Sequence, residues 1–384
     1  MTSNFAALLE QAGFDTAERG FWQRVVMVHN WGMLPAEQLH EGDVMATRGF
    51  NALVLDRSGV PTHFCKCRPP TKAWIRQTAL YARMSRVPAL RRIIPRARDV
   101  SSRDLHMSIT TYVPGRLLAS RVPWMRRTTL GATLREILEQ METIAQYADA
   151  IDLEEDSHVD LAANAAWAFD AIPSSLLAAE KAAVLRATVA AAGRLRRVPQ
   201  HGDLWPMNVL RYDGRWLLLD FEIFGRIQVP LYDAFHLVRS CWAMRQGWLQ
   251  RTVHRMRNPA ASRWAPNWIA CLRSSSSDPY RHTLAWARAR HGLTNTEAVG
   301  ALAFYLIDVA ARMYLRRLPM EYVEPYLRDL GVLAECLAAG ETFAEALCGS
   351  STSARQPSWI GGYRAARPDA DTELSSQLVR DSHE

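Results

Sequence analysis

Alternating and helical hydrophobic patterns predict a small sheet near the start of the chain. Residues 43–55, DVMATRGFNALVL, and residues 62–67, THFCKC, read as two strands separated by the turn signal DRSGVP. Residues 105–113, LHMSITTYV, predict a further strand that ends before Pro114. The first 40 residues show no such pattern, and we expect helix and loop there.

Helical spacing begins between these strands and dominates the rest of the chain. Residues 71–87 place apolar side chains on one helical face and stop before Pro88. Four later stretches have the same period: 133–151, 180–198, 295–317 and 321–348. We therefore predict an N-terminal lobe of sheet plus helix over residues 1–113 and a helical lobe over residues 114–348. Residues 349–384, rich in Ser, Pro, Gly and charge, are predicted to form a flexible tail.

Composition restricts the class of protein. The chain has 384 residues, of which 48% are hydrophobic and 22% charged, values that suit a soluble globular protein of one large or two moderate domains. The N-terminus lacks the basic and apolar regions of a secretory signal. The most apolar run, residues 301–311, is too short for a membrane span and contains Asp308. We expect a cytoplasmic protein.

Cysteine and lysine are the two residue types whose positions are informative. The six cysteines are scattered, and Cys65 and Cys67 have no second Cys/His pair nearby, which favours buried strand thiols over a zinc site. The net charge is +7, yet only Lys66, Lys72 and Lys181 are lysines. A lysine that persists against this arginine bias indicates a place where a compact ammonium is needed.

Polar residues that suit phosphoryl transfer are concentrated in QHGDLWPMNVLRYDGRWLLLDFE, residues 200–222. Pro206 makes the interval from Asp203 to Asn208 a loop, and a hydrophobic strand ends at Asp220 after the hairpin signal RYDGR. Loop and strand end can therefore face each other. Asn208 and Asp220 supply the oxygen ligands that Mg²⁺ prefers, and Asp203 can accept a hydrogen bond from an attacking hydroxyl.

The three motifs HGDLWPMNVL, LLLDFE and PLYDAFHL resemble the aminoglycoside phosphotransferase and choline kinase family of small-molecule kinases. The resemblance implies an α+β fold with two lobes, protein-kinase-like, with a small antiparallel sheet in the first lobe and mainly helices in the second. It also implies ATP and Mg²⁺ as cofactors, Asp203 as the catalytic acid/base, and Asn208 and Asp220 as metal ligands. His201 would support the loop.

The resemblance extends upstream into the predicted sheet. It implies that Gly49 and Asn51 form the turn of a nucleotide loop and that Lys66 binds phosphate, with ITTYVPGRLL as the hinge between the lobes. In related kinases a glutamate on the following helix holds this lysine. Here the matching residue is Gln77, which can accept a hydrogen bond from Lys66 but carries no charge.

Three further interpretations stay open at this point. Asp203 could instead cap a helix or stabilise a turn, and Glu222 could contact a second metal or pair with an arginine. Asp233, just before an apolar helical face, reads as a helix N-cap.

The acceptor is suggested by a basic, tryptophan-rich stretch in the helical lobe. Between residues 239 and 290 Asp278 is the only acid, and this stretch contains the following arginines and tryptophans: Arg239, Arg245, Arg251, Arg255, Arg257, Arg263, Arg273, Arg281, Arg288, Arg290, Trp242, Trp248, Trp264, Trp268 and Trp286. If exposed, these side chains would repel a polycationic aminoglycoside and favour a neutral or anionic hydroxyl substrate such as a sugar or a lipid-linked glycan. The alternative is that arginine is the default polar residue here and the tryptophans are core.

Two other functions remain as alternatives. Because Gln77 replaces the glutamate, the chain could be a catalytically weak, pseudokinase-like nucleotide-binding protein. A basic, tryptophan-rich protein could also bind an anionic surface, including peripheral contact with an anionic membrane. The absence of a nucleic-acid-binding motif argues against nucleic acid as the partner. Acceptor identity, nucleotide preference and oligomeric state are not predicted.

Overall fold

The fold is taken from a computed structural model of the chain. It describes residues 3–29, 32–35, 49–148, 158–221, 223–257, 267–274 and 279–340. The predicted tail 349–384 lies outside the described residues, as do Cys348 and Glu222. The described residues belong to one compact unit, Met1–Gly349.

A six-stranded antiparallel sheet forms the first part of this unit. The strand order is β2-β1-β3-β4-β6-β5, and every neighbouring pair is antiparallel. The strands are β1 Val25–His29, β2 Gly32–Pro35, β3 Phe50–Leu55, β4 Pro61–Arg68, β5 Ala97–Ser101 and β6 His106–Thr111. The strands β1, β2 and β5 were not predicted, and β1 and β2 correct the expectation that the first 40 residues contain only helix and loop.

Two helices flank the sheet. α1 covers Ser3–Gln11 and buries Phe5, Leu8 and Leu9 in a small core with the strand residues. α2 covers Lys72–Arg86 and begins where the Thr71 side chain accepts a hydrogen bond from the Trp74 amide, a normal N-cap. α2 matches the helix predicted over 71–87.

The paired cysteines of β4 belong to this small core. Cys65 and Cys67 are fully buried, and burial raises the pKa of the Cys65 thiol to about 12. A thiol that stays protonated is neither a nucleophile nor a metal ligand. The prediction of buried strand thiols is confirmed.

The second part of the unit is mainly helical. Its helices are α3 Leu118–Arg121, α4 Arg127–Ala148, α5 Leu161–Ala171, α6 Ala179–Ala192, α7 Tyr232–Arg257, α8 Trp268–Ser274, α9 Pro279–His291, α10 Asn295–Leu315 and α11 Met320–Ala338. Short strands accompany them: β7 Arg116–Leu117, β8 His158–Asp160, β9 Arg194–Arg196, β10 Val209–Tyr212 and β11 Arg215–Leu218. The division at residues 113 and 114 stays a prediction.

Helix α10 is the centre of the helical core. By length and composition it could cross a membrane, yet 78% of its most apolar window is buried inside the protein. Asp308 in the middle of this helix is fully buried and accepts hydrogen bonds from the Tyr232 hydroxyl at 2.7 Å and from Arg312 Nε at 2.8 Å. These donors offset the cost of a buried carboxylate, as expected for the core helix of a globular domain.

A buried ion pair ties α11 to α7. Arg239 donates from Nε to Asp329 Oδ2 at 2.9 Å, and its guanidinium lies 3.5 Å from the centre of the Tyr326 ring. Asp329 also accepts from the Trp268 amide at the start of α8. Both charged side chains are almost fully buried. Arg239 is therefore a structural residue of the core, not part of a basic surface.

Candidate active site

The loop and strand that carry the predicted acids meet at a two-residue hairpin. Strands β10 and β11 pair antiparallel, and the turn residues Asp213 and Gly214 both have positive φ, of 47° and 72°, which is typical of a type I′ hairpin. The Leu219 amide donates to the Asn208 carbonyl at 2.8 Å. The strand end is thereby held against the loop that precedes β10, as the sequence predicts.

Asp203 and Asn208 are held together within that loop. Asn208 Nδ2 donates to the Asp203 carbonyl oxygen at 2.9 Å and to the carboxylate Oδ2 at 3.1 Å. About half of the Asp203 side chain, 47%, remains exposed, whereas Asn208 is buried. The carboxylate is thus fixed by a neighbour and still accessible to a ligand.

Asp220 lies opposite this pair and contacts Lys66. The distance from Lys66 Nζ to Asp220 Oδ1 is 2.7 Å, and both side chains are mostly buried. Asp220 has φ of 62°, a conformation that L-residues other than Asn and Asp avoid. Such backbone strain is concentrated at functional sites.

One cavity brings Lys66, Asn208 and Asp220 together, whereas Asp203, bonded to Asn208, is not among the residues that line it. It has a volume of about 510 Å³, within the range of sites for small ligands. The predicted site residues Asn51, Lys66, Gln77, Asn208 and Asp220 all line it.

Asn51 and Gly49 occupy the end of the sheet next to this cavity. Asn51 lies within β3 and pairs with Lys66 of β4, which corrects the expectation that it forms part of a turn. Gly49 has φ of 79°, and a Cβ there would lie 2.1 Å from the Cys67 carbonyl oxygen. No other residue type fits that contact, so Gly49 allows the chain to enter β3 close against β4.

Gln77 makes contacts that the sequence did not predict. Its Nε2 donates to the carbonyls of Phe221 and Phe224, each at 3.0 Å, and the side chain is buried. It therefore ties helix α2 to the backbone that follows Asp220. A carboxylate cannot donate these bonds, so a glutamate at this position would lose both of them.

His201 and Gly202 are fixed by a carboxylate from helix α7. Asp233 Oδ2 accepts from the His201 amide at 2.6 Å, and Oδ1 accepts from the Gly202 amide at 2.9 Å. Because α7 begins at Tyr232, Asp233 lies in its first turn and anchors the loop, which corrects the N-cap interpretation. The pKa of Asp233 is raised to about 7, chiefly by burial.

The imidazole of His201 supports the strand end. Burial lowers the pKa of His201, so the ring is neutral near pH 7, and its Nε2 lies 2.7 Å from the Leu219 carbonyl. This geometry requires the proton on Nε2. His201 therefore supports the loop, as the resemblance implies, and does not face the cavity.

The arginines and tryptophans of the predicted basic stretch do not form one surface in the described residues. Trp242 and Trp268 are core residues, as is Arg239. Arg245 donates to the Met125 carbonyl and Arg290 to Glu142. The side chains of Trp248, Trp264, Arg251, Arg255, Arg257, Arg263 and Arg273 lie outside the described residues. Trp242 and Trp268 thus fit the interpretation of the tryptophans as core, and Arg239, Arg245 and Arg290 are bound within the protein.

Comparison with known proteins identifies the family. A family model described as Phosphotransferase enzyme family (APH) matches residues 62–255, just over half of the chain. The chain belongs to this family. The prediction of an α+β, kinase-like fold is confirmed.

Solved structures of other phosphotransferases are similar at low identity. A choline/ethanolamine kinase family protein from Mesorhizobium loti is 14% identical over 80% of this chain and 92% of its own, with a TM-score of 0.46. Choline kinase from Cryptosporidium parvum is 10% identical over 79% and 93%, with a TM-score of 0.46. An aminoglycoside phosphotransferase from Streptomyces rimosus is 16% identical over 86% and 97%, with a TM-score of 0.38. A comparison with curated proteins finds no match.

The positive φ of Asp220 predicts an unusual order of variant stabilities in this phosphotransferase. Asp220→Asn and Asp220→Ala both lose the charge, but Asn tolerates this backbone and Ala does not. We expect Asp220→Ala to be less stable than Asp220→Asn by about 1 kcal/mol in urea unfolding. At Asp170, in the last turn of α5 and ion-paired with Arg186, the order should reverse because Ala is the better helix former. The same order at both positions would contradict strain at Asp220.

The hydrogen bonds that Gln77 donates predict that Gln77→Glu, which introduces the acid found in related kinases, lowers the stability of the protein. Gln77→Glu loses two donated bonds and places a carboxylate against two carbonyl oxygens, so we expect a loss of about 1–3 kcal/mol in the free energy of unfolding. Gln11→Glu, the same change at an exposed site, should stay within about 0.5 kcal/mol of the parent. Unchanged stability together with tighter nucleotide binding in Gln77→Glu would show instead that a carboxylate at this position improves the nucleotide site.

Proposed function

We propose that the protein is an ATP- and Mg²⁺-dependent phosphotransferase that moves the γ-phosphate to a hydroxyl group of a small molecule. Family membership supports phosphotransfer, and the site geometry supports the finer assignment. The observation that carries it is the convergence of Lys66, Asp220 and Asn208 on one cavity, with Asp203 bonded to Asn208 beside it.

The donor atoms present fit Mg²⁺. Asn208 uses its amide nitrogen on Asp203, which leaves the oxygen Oδ1 as the atom available to a cation. The Asp220 carboxylate supplies a second hard oxygen on the same cavity wall. Asn208 and Asp220 would therefore hold Mg²⁺. When bound, Mg²⁺ neutralises charge on the transferred phosphate.

Lys66 would bind the phosphates of ATP beside Asp220. Its ammonium is a compact point charge fixed at the cavity by strand β4 and by the contact with Asp220. Asn51 in β3 and Gly49 just before it would shape the edge of the same site, and Gln77 would hold helix α2 in place.

Asp203 would orient the acceptor hydroxyl. Burial alone would raise its pKa, but the nearby imidazoles of His236 and His201 and the hydrogen bond from Asn208 lower the pKa below its ordinary value. The carboxylate is therefore ionised at neutral pH and can accept a hydrogen bond from the hydroxyl. Because phosphoryl transfer proceeds through a loose transition state, this orientation contributes more than proton removal.

The acceptor is proposed to be neutral or anionic, as a sugar-type or lipid-linked alcohol would be. Recognition of a polycation needs carboxylates that the protein has not already neutralised. Among the described residues of the helical part, the buried or mostly buried acids Glu142, Asp233, Asp308 and Asp329 are all bound by protein donors. This structural use of acids supports a neutral or anionic acceptor over an aminoglycoside.

One specific observation favours a second candidate, a nucleotide-binding protein with weak or no transfer. Gln77 lines the same cavity as Lys66 and carries no charge, at the helix position where related kinases place a carboxylate. In that case Mg²⁺-ATP would bind and no acceptor would be phosphorylated.

A cytoplasmic location remains part of the proposal, and peripheral contact with an anionic membrane remains a prediction.

The test is Asp203→Asn assayed for binding and transfer separately. We expect the shift in Tm on adding ATP and Mg²⁺ to be retained, and transfer to fall by ~10²-fold or more, because the variant keeps the cavity but loses the acceptor's hydrogen-bond partner. Transfer is measured as ADP release with a panel of sugars, sugar phosphates, lipid-linked glycans and aminoglycosides. Asp213→Asn, an exposed turn variant of the same type, should behave as the parent.

Three outcomes would contradict parts of this proposal. Full transfer in Asp203→Asn would remove Asp203 from the mechanism. A preference for aminoglycosides would overturn the acceptor class. Binding of Mg²⁺-ATP without transfer to any acceptor of the panel would favour the second candidate.

A further inference from the structure

Helix α2 exposes a row of positive charge on its solvent side. At 3.6 residues per turn, Lys72, Arg76, Arg83 and Arg86 fall within an arc of about 80° along roughly 20 Å of helix. All four side chains are exposed. Arg91, in the turn that follows, is also exposed, and its guanidinium lies 3.4 Å from the Arg86 carbonyl oxygen. These five residues form the basic face.

The charge of the basic face is a local property and not an even spread of arginine over the chain. Residues 57–98 contain 11 lysines and arginines and no Asp or Glu, so all 39 acids lie outside this stretch. Elsewhere arginines are paired with acids, as Arg186 is with Asp170 and Arg290 with Glu142. Among the residues that the structure describes, no carboxylate lies within ion-pairing distance of the basic face.

The nucleotide site does not account for this charge. The residues of α2 that line the cavity are Trp74, Gln77, Thr78 and Tyr81, on the opposite side of the helix. No residue of the basic face lines that cavity. The basic face is therefore available to an anion other than the phosphates of ATP.

The chemistry of this arc favours a flat anionic surface over a nucleic acid. The exposed side chains that the structure describes in α2 are the four cations and Ile75. This set has no amide or hydroxyl group to read base edges and no aromatic ring to stack on bases. A row of cations without such groups is what a leaflet of anionic lipid attracts.

We propose that the basic face attaches the protein reversibly to an anionic membrane surface. The contact is electrostatic, because Tyr81 and Met84 on the apolar side of α2 are packed in the core. Each cation beside an anionic leaflet strengthens binding roughly fivefold, so the five together contribute on the order of 10³-fold. The attachment does not depend on the proposed catalytic role of Asp203.

The test is flotation of the full chain with vesicles of phosphatidylcholine that contain about 30% phosphatidylglycerol. We expect the parent to bind these vesicles and not to bind vesicles of phosphatidylcholine alone. Arg76→Gln/Arg83→Gln/Arg86→Gln should bind about 10²-fold more weakly, because three cations leave the contact. Its Tm should match that of the parent, since all three side chains are exposed.

The matched control removes the same charge from another part of the surface. Arg126→Gln/Arg135→Gln/Arg328→Gln changes three exposed arginines of the helical part and should bind within about threefold of the parent. An equal loss in both triple variants would show that net charge alone matters, and it would overturn the assignment of the surface. Equal binding of the parent to neutral vesicles would overturn the anionic partner.

Nucleic acid is tested as the competing partner. The parent and the first triple variant are titrated onto a DNA duplex and a single-stranded RNA in the same buffer. We expect both nucleic acids to bind more weakly than the anionic vesicles do. Tighter binding of either, lost in the first triple variant, would overturn the membrane as the partner.

Salt gives a further measurement that needs no variant. Raising NaCl from about 0.05 M to about 0.5 M shortens the Debye length to roughly 4 Å and should release the parent from the vesicles. Retention at the higher concentration would show apolar insertion and would contradict electrostatic attachment. Because no step needs an acceptor or ATP, failure of the proposed function stays distinguishable from failure of this attachment.

Discussion

The site depends on one buried carboxylate, that of Asp233. It accepts hydrogen bonds from the backbone amides of His201 and Gly202, and the Asp233 amide donates to the side-chain oxygen of Gln200. Helix α7 and the loop before β10 are thereby held as one piece. Asp203 is the next residue of that loop, so its place follows from this contact. Position 202 requires glycine, since φ is 81° and a Cβ would lie 2.9 Å from the Ile223 side chain.

A second set of contacts joins the sheet to this piece. Lys66 of β4 pairs with Asp220, and Gln77 of α2 donates to the two carbonyls beyond it. The first contact is ionic, and the second is neutral and buried. Together they hold strand β4 and helix α2 against the backbone at and after Asp220.

The sequence predicted those parts of the site that are set by local pattern. Asp203, Asn208 and Asp220 could be located because a proline, a hairpin turn and a short apolar strand fix their spacing within 18 residues. The roles of Gln77 and Asp233 were missed because their partners lie 144 and 32 residues away, and no local period reports such contacts. The arginine-rich stretch gave a wrong expectation for Arg239, because composition cannot distinguish a solvated arginine from one buried against Asp329.

Strand β1, VVMVH, was not predicted although its three valines are β-branched residues that favour strands.

The central claim is that Asn208 and Asp220 face Lys66 across one Mg²⁺–triphosphate site. The most direct measurement is a crystal structure with Mg²⁺ and a non-hydrolysable ATP analogue. The account predicts a cation about 2.0–2.1 Å from oxygens of Asn208 and Asp220, with Lys66 Nζ on the phosphates and Asp203 facing the γ-phosphate. A nucleotide bound elsewhere, or a cation that avoids both ligands, would contradict it.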